Sequence, residues 1–121
     1  MNQIEMPVNF INKKLVLLDQ RKLPHQEVFV EIASYQEAHH AIRDMVVRGA
    51  PCIGFTGIFA MALGVLETES IHQKDLKKIA DFIVAARPTA VNLEFEVYNI
   101  VDKILSWGDL ARTEIFEKIV A

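Results

Sequence analysis

This sequence predicts an α+β fold in which a small antiparallel β-sheet at the N-terminus is followed by a mostly helical bundle. Three observations lead there. Over residues 1–33 the apolar side chains form a short run and a period-two alternation, punctuated by a proline. From Ser34 onward they recur every three to four residues, which is the spacing of helical stripes. With 51% apolar and 24% charged residues in 121, the chain has enough apolar material for one hydrophobic core and is not a disordered composition. Residues 1–121 are therefore expected to be a single domain, with the sheet in 1–33 and the helical part in 34–121.

The β elements come first. Leu15–Leu18 is a short apolar run, and Glu27-Val28-Phe29-Val30-Glu31-Ile32 alternates. The segment Asp19–Gln26 between them contains Pro24 as a breaker, so the two strands are expected to pair antiparallel. Ser34 and Glu37 then fit a capping box, each side chain satisfying a free backbone donor at a helix start. Ala38, Ala41, Ile42, Met45 and Val46 follow as one apolar stripe.

The second helix should begin near Pro51, because proline is well tolerated in a first helical turn. Its residues Ile53, Phe55, Ile58, Phe59, Met61, Leu63, Val65 and Leu66 are apolar all round, which predicts a helix without a solvent face. Gly54, Gly57 and Gly64 would let neighbours approach closely, each at about 1 kcal/mol of helix propensity. A third helix is expected near Lys74–Ala85, with Leu76, Ile79, Ala80 and Ile83 inward and Lys74, Lys77, Lys78 and Asp81 outward. A fourth runs from about Ala90 to Ser106 on the stripe Leu93, Val97, Ile100, Val101 and Ile104, with Gly108 as its stop signal. A fifth, Arg112–Val120, gathers Ile115, Phe116, Ile119 and Val120 and reaches the last residues without a C-terminal cap. Periodicity leaves open whether that helix frays or continues into a missing segment.

Composition excludes several functions. Thirteen basic residues stand against 16 acidic, for a net charge of −3, with no Lys/Arg run to follow a nucleic-acid backbone. Residues 1–10 lack the basic-then-apolar order of a signal peptide. The uncharged stretch Gly49–Leu66 approaches membrane-spanning length. Its four glycines and Pro51, with amphipathic helices on either side, make it a buried helix. Cys52 is the only cysteine, so no intrachain disulfide is possible. His39 and His40 are adjacent and face different ways, while His25 and His72 fall in loops, so no metal site is expected. Trp107, near a helix end, reads as a packing anchor.

Two segments depart from core logic. In Val47-Arg48-Gly49-Ala50-Pro51-Cys52-Ile53-Gly54 an arginine sits in a glycine-containing turn before a helix that starts at a proline. Free N–H groups at a helix start suit an anion, glycine lets a ligand reach the backbone, and arginine adds a planar double donor. Ala86-Arg87-Pro88-Thr89-Ala90-Val91-Asn92 repeats the arrangement, with Thr89 as the expected N-cap. The alternative on chemistry alone is that both arginines pair with surface carboxylates or cap the preceding helices.

Those same segments carry a resemblance. The run Met45–Gly54, followed by the small-residue helix to Gly64, resembles the signature of the methylthioribose-1-phosphate isomerase family. Ala86-Arg87-Pro88-Thr89-Ala90-Val91-Asn92-Leu93 resembles its second signature, and Leu17-Leu18-Asp19-Gln20 with Leu23-Pro24 also fits. The resemblance covers nearly the whole chain. It implies an aldose–ketose isomerisation in methionine salvage, of 5-methylthioribose 1-phosphate to 5-methylthioribulose 1-phosphate, in the cytoplasm and without a cofactor. Substrate binding would fall to Arg48, Gly49, Ala50 and Arg87. Family members are longer, add a Rossmann-like C-terminal domain that holds a catalytic cysteine and aspartate, and form homodimers.

By that likeness this chain is an N-terminal fragment with no catalytic residue of its own. Its partners would be a phosphorylated sugar and the missing C-terminal domain, not nucleic acid or membrane. The family usually has alanine where Cys52 stands, so Cys52 is read as a packed, inert thiol. A ribose-1,5-bisphosphate isomerase and an assembly module of the initiation factor 2B type share the architecture and are the competing expectations.

Overall fold

Three strands, β1 (Val8–Ile11), β2 (Lys14–Leu18) and β3 (Phe29–Ile32), form a sheet in the order β1-β2-β3 with both pairings antiparallel. The computed structural model describes residues 8–11, 14–22, 25–47, 49–68, 71–108 and 110–120. Leu15 lies opposite Ile32, and Leu17 lies opposite both Val8 and Val30. The period-two pleat therefore gathers these side chains on one face, where Val8, Leu15, Leu17 and Ile32 are buried. Glu31, on the other face, meets Lys14 Nζ at 3.4 Å in an exposed ion pair. The strand β1 was not expected from sequence. Four residues shortly after Pro7 are too few for alternation to stand out.

Helix α1 (Tyr35–Arg43) begins at the expected cap. Ser34 Oγ accepts from Glu37 N–H at 3.1 Å, and the Glu37 carboxylate accepts from Ala33 N–H at 2.8 Å. Ala38, Ala41, Ile42 and Val46 are buried as their spacing predicts. Met45 does not join them. The helix ends at Arg43 with Asp44 as its C-cap, so Met45 lies beyond the last turn and is 42% exposed.

Helix α2 (Ala50–Glu67) has Gly49 as N-cap and Pro51 at its second position. It is the hub of the molecule, packing against α1, the three helices that follow it, β1 and β2. Its burial is incomplete, however, because Phe55 is 46% exposed. The neighbouring Gly54 and Gly57 face the fourth helix, at Glu96 and at Leu93 and Val97, and Phe55 lies off that face. Among the described residues, no helix is long and apolar enough to cross a membrane.

Helices α3 (Gln73–Val84), α4 (Val91–Ser106) and α5 (Arg112–Val120) lie within a residue or so of their expected limits. The expected stripes of α3 and α4 are buried, as are Ile115, Phe116 and Ile119 of α5. Val120 is only partly buried. The N-cap of α4 is Ala90, not Thr89, and no side chain caps it. Gly108 has φ +78, the left-handed conformation that follows a helix end and that glycine adopts without penalty. Trp107 is the C-cap of α4, and Lys118 Nζ lies 5.1 Å above its ring, which ties α5 to the end of α4.

Candidate functional site

The two arginine segments meet in space through the contact of α2 with α4. Gly57 on α2 faces Leu93 and Val97 on α4, and Gly54 faces the backbone oxygen of Asn92. That close approach brings the starts of the two helices side by side. Between them opens a cavity of about 450 Å³ lined by Gly49 and Ile53 on one side and Arg87, Ala90, Val91 and Asn92 on the other, with Met45 at its edge. Such a volume is adequate for a small-molecule ligand.

Gly49 adopts φ 89 and ψ 133 and carries no capping side chain, so the first turn of α2 is not closed off by one. A Cβ built on Gly49 would meet nothing within 4 Å, which leaves the approach to this backbone open. Ile53 N–H donates to the Gly49 carbonyl at 3.0 Å, which starts the helical ladder. Ala50 opens the helix. Arg48 lies outside the described residues.

Arg87 sits in the turn between α3 and α4. Its N–H donates to the Val84 carbonyl at 3.2 Å, and its own carbonyl accepts from Ala90 N–H at 2.9 Å. Pro88 thus takes the second position of a tight turn, where its fixed φ fits. The side chain is half-buried, and among the described residues its guanidinium has neither a carboxylate partner nor a hydrogen bond. A cation in that situation is available to an anion. The cavity lining includes no carboxylate, histidine or thiol among the described residues.

The loop that feeds this site is braced by the turn that follows β2. Gln20 N–H donates to the Val46 carbonyl at 2.8 Å, which fixes the chain two residues before Arg48. That brace hangs on Asp19, whose buried carboxylate accepts from Arg21 Nε at 2.9 Å, from Arg21 Nη2 at 2.8 Å and from Arg21 N–H at 3.1 Å. The Arg21 guanidinium holds the Asp19 carboxyl below its ordinary range, against the opposing effect of burial. Asp44, at the end of α1, is likewise lowered by its hydrogen bond from Arg43.

Other expected residues stand apart. Cys52 is a free, partly buried cysteine in the first turn of α2 and does not line the cavity. The His39 and His40 rings meet edge to face at 5.4 Å. His39 also stacks on Phe82 and bonds to its carbonyl oxygen at 2.7 Å. No cluster of three or more metal-ligating side chains occurs among the described residues. A second cavity of about 490 Å³, at Tyr35, Glu67, Lys78 and Phe82, involves neither arginine segment. There the Glu67 carboxylate already accepts from Tyr35 N–H at 2.9 Å. Sequence reasoning missed Met45 and Ile53 as cavity residues because both read as core positions. Asn92 and Val91 were visible only as part of the second arginine segment.

Fold and cavity together define a class: an α+β unit with a pocket where two helix starts converge. No family model matches the chain. It is 40% identical to methylthioribose-1-phosphate isomerase 1 of Pseudothermotoga lettingae, over 98% of its own length and 35% of that protein's. To the methylthioribose-1-phosphate isomerase of Thermus thermophilus it is 43% identical, over 88% of its length and 30% of the relative's.

Two solved structures share the fold. The 5-methylthioribose 1-phosphate isomerase of Pyrococcus horikoshii superposes with a TM-score of 0.84 at 29% identity, covering 98% of this chain and 34% of that one. Subunit delta of the translation initiation factor eIF-2B from A. fulgidus superposes with a TM-score of 0.81 at 31% identity, covering 94% and 34%. The chain belongs to the methylthioribose-1-phosphate isomerase family, and spans about a third of the length of the curated relatives it matches.

Proposed function

We propose that this chain is the N-terminal domain of a sugar-phosphate aldose–ketose isomerase that converts 5-methylthioribose 1-phosphate to 5-methylthioribulose 1-phosphate in methionine salvage. Its own contribution is the grip on the substrate phosphate, through Arg48, the Gly49–Ala50 backbone and Arg87. The observation that carries this is the convergence on one open cavity of Gly49 and of Arg87, whose guanidinium has no partner among the described residues. A phosphate there gains from the partial positive charge of the α2 start and from charge-assisted hydrogen bonds. Proton handling is left to a second domain, in keeping with a lining that holds no acid or base among the described residues. The same reading has the complete enzyme homodimeric and cytoplasmic.

The test supplies the chain with the remaining two-thirds of a relative and measures turnover of the sugar phosphate. The chain alone should show none. In the completed enzyme Arg48→Ala and Arg87→Ala should each lower kcat/KM by about tenfold or more, as expected for a lost hydrogen bond to a charged group. Turnover by the isolated chain would sink the division of labour. Unchanged kinetics in both variants would sink the phosphate grip.

The likeness to an initiation-factor subunit favours a second reading, a non-catalytic assembly module. Its mark would be a completed protein that forms a stable oligomer and turns over no sugar phosphate.

A further inference from the structure

Met45 occupies a position where glycine would ordinarily stand. The end of α1 is closed by two bonds, from Val46 N–H to the Ala41 carbonyl at 2.9 Å and from Met45 N–H to the Ile42 carbonyl at 3.2 Å. Together these form a Schellman closure, whose penultimate residue is left-handed and usually glycine. Met45 takes that conformation with φ +65, alone among the non-glycine residues described. Side chains with a Cβ adopt it only at a conformational cost. Burial does not compensate that cost, since Met45 is 42% exposed. What the side chain does instead is line the cavity, beside Gly49 and Arg87.

We infer that Met45 is a specificity-determining residue. Its flexible, polarisable side chain forms an apolar wall, continued by Ile53 and Val91, and selects anions that carry an apolar group. Retaining methionine at a glycine position is then the conformational cost of that wall, in keeping with strain that persists at functional sites. The Gln20 brace on the Val46 carbonyl holds the turn in place, so the wall is preformed. The inference rests on the reading that the Arg87 cavity holds an anion, and its test separates the two.

The test titrates the 121-residue chain with inorganic phosphate and with n-butyl phosphate, followed by backbone amide shifts. The wild type should bind n-butyl phosphate about fivefold or more tighter, as burial of one or two methylene groups would give. Met45→Gly should keep its affinity for inorganic phosphate and lose the preference for the alkyl form. Its melting temperature should be unchanged or raised, because glycine adopts the left-handed turn freely. Arg87→Ala should lose both probes.

Equal affinity of the wild type for the two probes overturns the role of Met45 and leaves the anion reading standing. So does a preference that survives in Met45→Gly, or an equal weakening of both probes there. A lower melting temperature of Met45→Gly overturns the conformational argument. Binding of neither probe by the wild type overturns both inferences together.

Discussion

Replacing Gly57 with alanine tests whether the α2–α4 contact positions the cavity. A Cβ at Gly57 would lie 2.6 Å from Leu93 Cδ1 and 2.8 Å from Val97 Cγ2. Carbon atoms prefer about 3.5–4.0 Å, so the shortfall is about 1 Å against both. Neither neighbour yields easily, since both are fully buried and a valine in a helix has essentially one rotamer. Overpacking of this kind costs about 1–3 kcal/mol, while alanine gains about 1 kcal/mol over glycine in helix propensity.

Gly54→Ala provides the control. Its Cβ would meet Glu96 Cγ at 3.1 Å and the Asn92 carbonyl at 3.7 Å, and Glu96 is a partly exposed side chain that can move. The propensity gain is common to the two variants, so their difference isolates the packing term. In equilibrium urea unfolding Gly57→Ala should be less stable than Gly54→Ala by about 1–3 kcal/mol, with matching m-values. A Gly57→Ala protein as stable as the Gly54→Ala protein would refute the claim that the two helices are set by contact at this glycine.

Asp19 should make the protein acid-sensitive. Its carboxyl is lowered in the fold relative to the ordinary value of 3.8, so its stabilisation is complete above that value and is lost as pH falls through the folded one. Asp19→Asn should melt lower than the wild type at neutral pH, and the gap should narrow below about pH 4; a gap independent of pH would contradict the assignment. Tyr98 donates its phenol to the Asp81 carboxylate, joining α4 to α3, and its pKa is pushed up to about 12 by that bond and by burial. The neutral phenol is favoured in the fold, so its contribution is complete below the ordinary value of 10.0 and is lost as pH rises through about 12. Tyr98→Phe should cost about 0.5–1.5 kcal/mol at neutral pH, and should remove the late phenolate step from an ultraviolet titration; an unchanged titration would assign that step elsewhere.

Helices were the legible part of this sequence, because each buries a stripe with helical spacing. The stripe Leu93, Val97, Ile100, Val101 and Ile104 is buried throughout, and Ser34 caps α1 as its pairing with Glu37 implies. Signals failed where a single residue serves two demands. Met45 has the spacing of a core position, yet the helix ends first, and spacing cannot report where a Schellman turn will place its left-handed residue. Thr89 has the chemistry of an N-cap, but the tight turn from Arg87 to Ala90 moves the helix start one residue on. Four residues of β1 carry too little pattern to be seen before their pairing with β2 is known.

The cavity was half legible. Its polar side follows from an arginine, Arg87, placed before a helix start, whereas its apolar side came from residues that read as interior. That Gly49 and Arg87 share one cavity depends on the α2–α4 contact, which joins residues far apart in sequence.

The central place of α2 also divides the cavity by mobility. One wall is the start of a helix packed against every other helix, which ties it to the body of the fold. The other wall combines the start of α4 with the short Arg87–Ala90 turn, and that turn is held by two backbone bonds whose opening would leave the hub intact. Bringing Arg87 into place against a fixed wall would then be a local adjustment of one joint. A ligand bridging the two walls should therefore slow hydrogen exchange first in that turn, with a smaller change at the amides in the middle of α2.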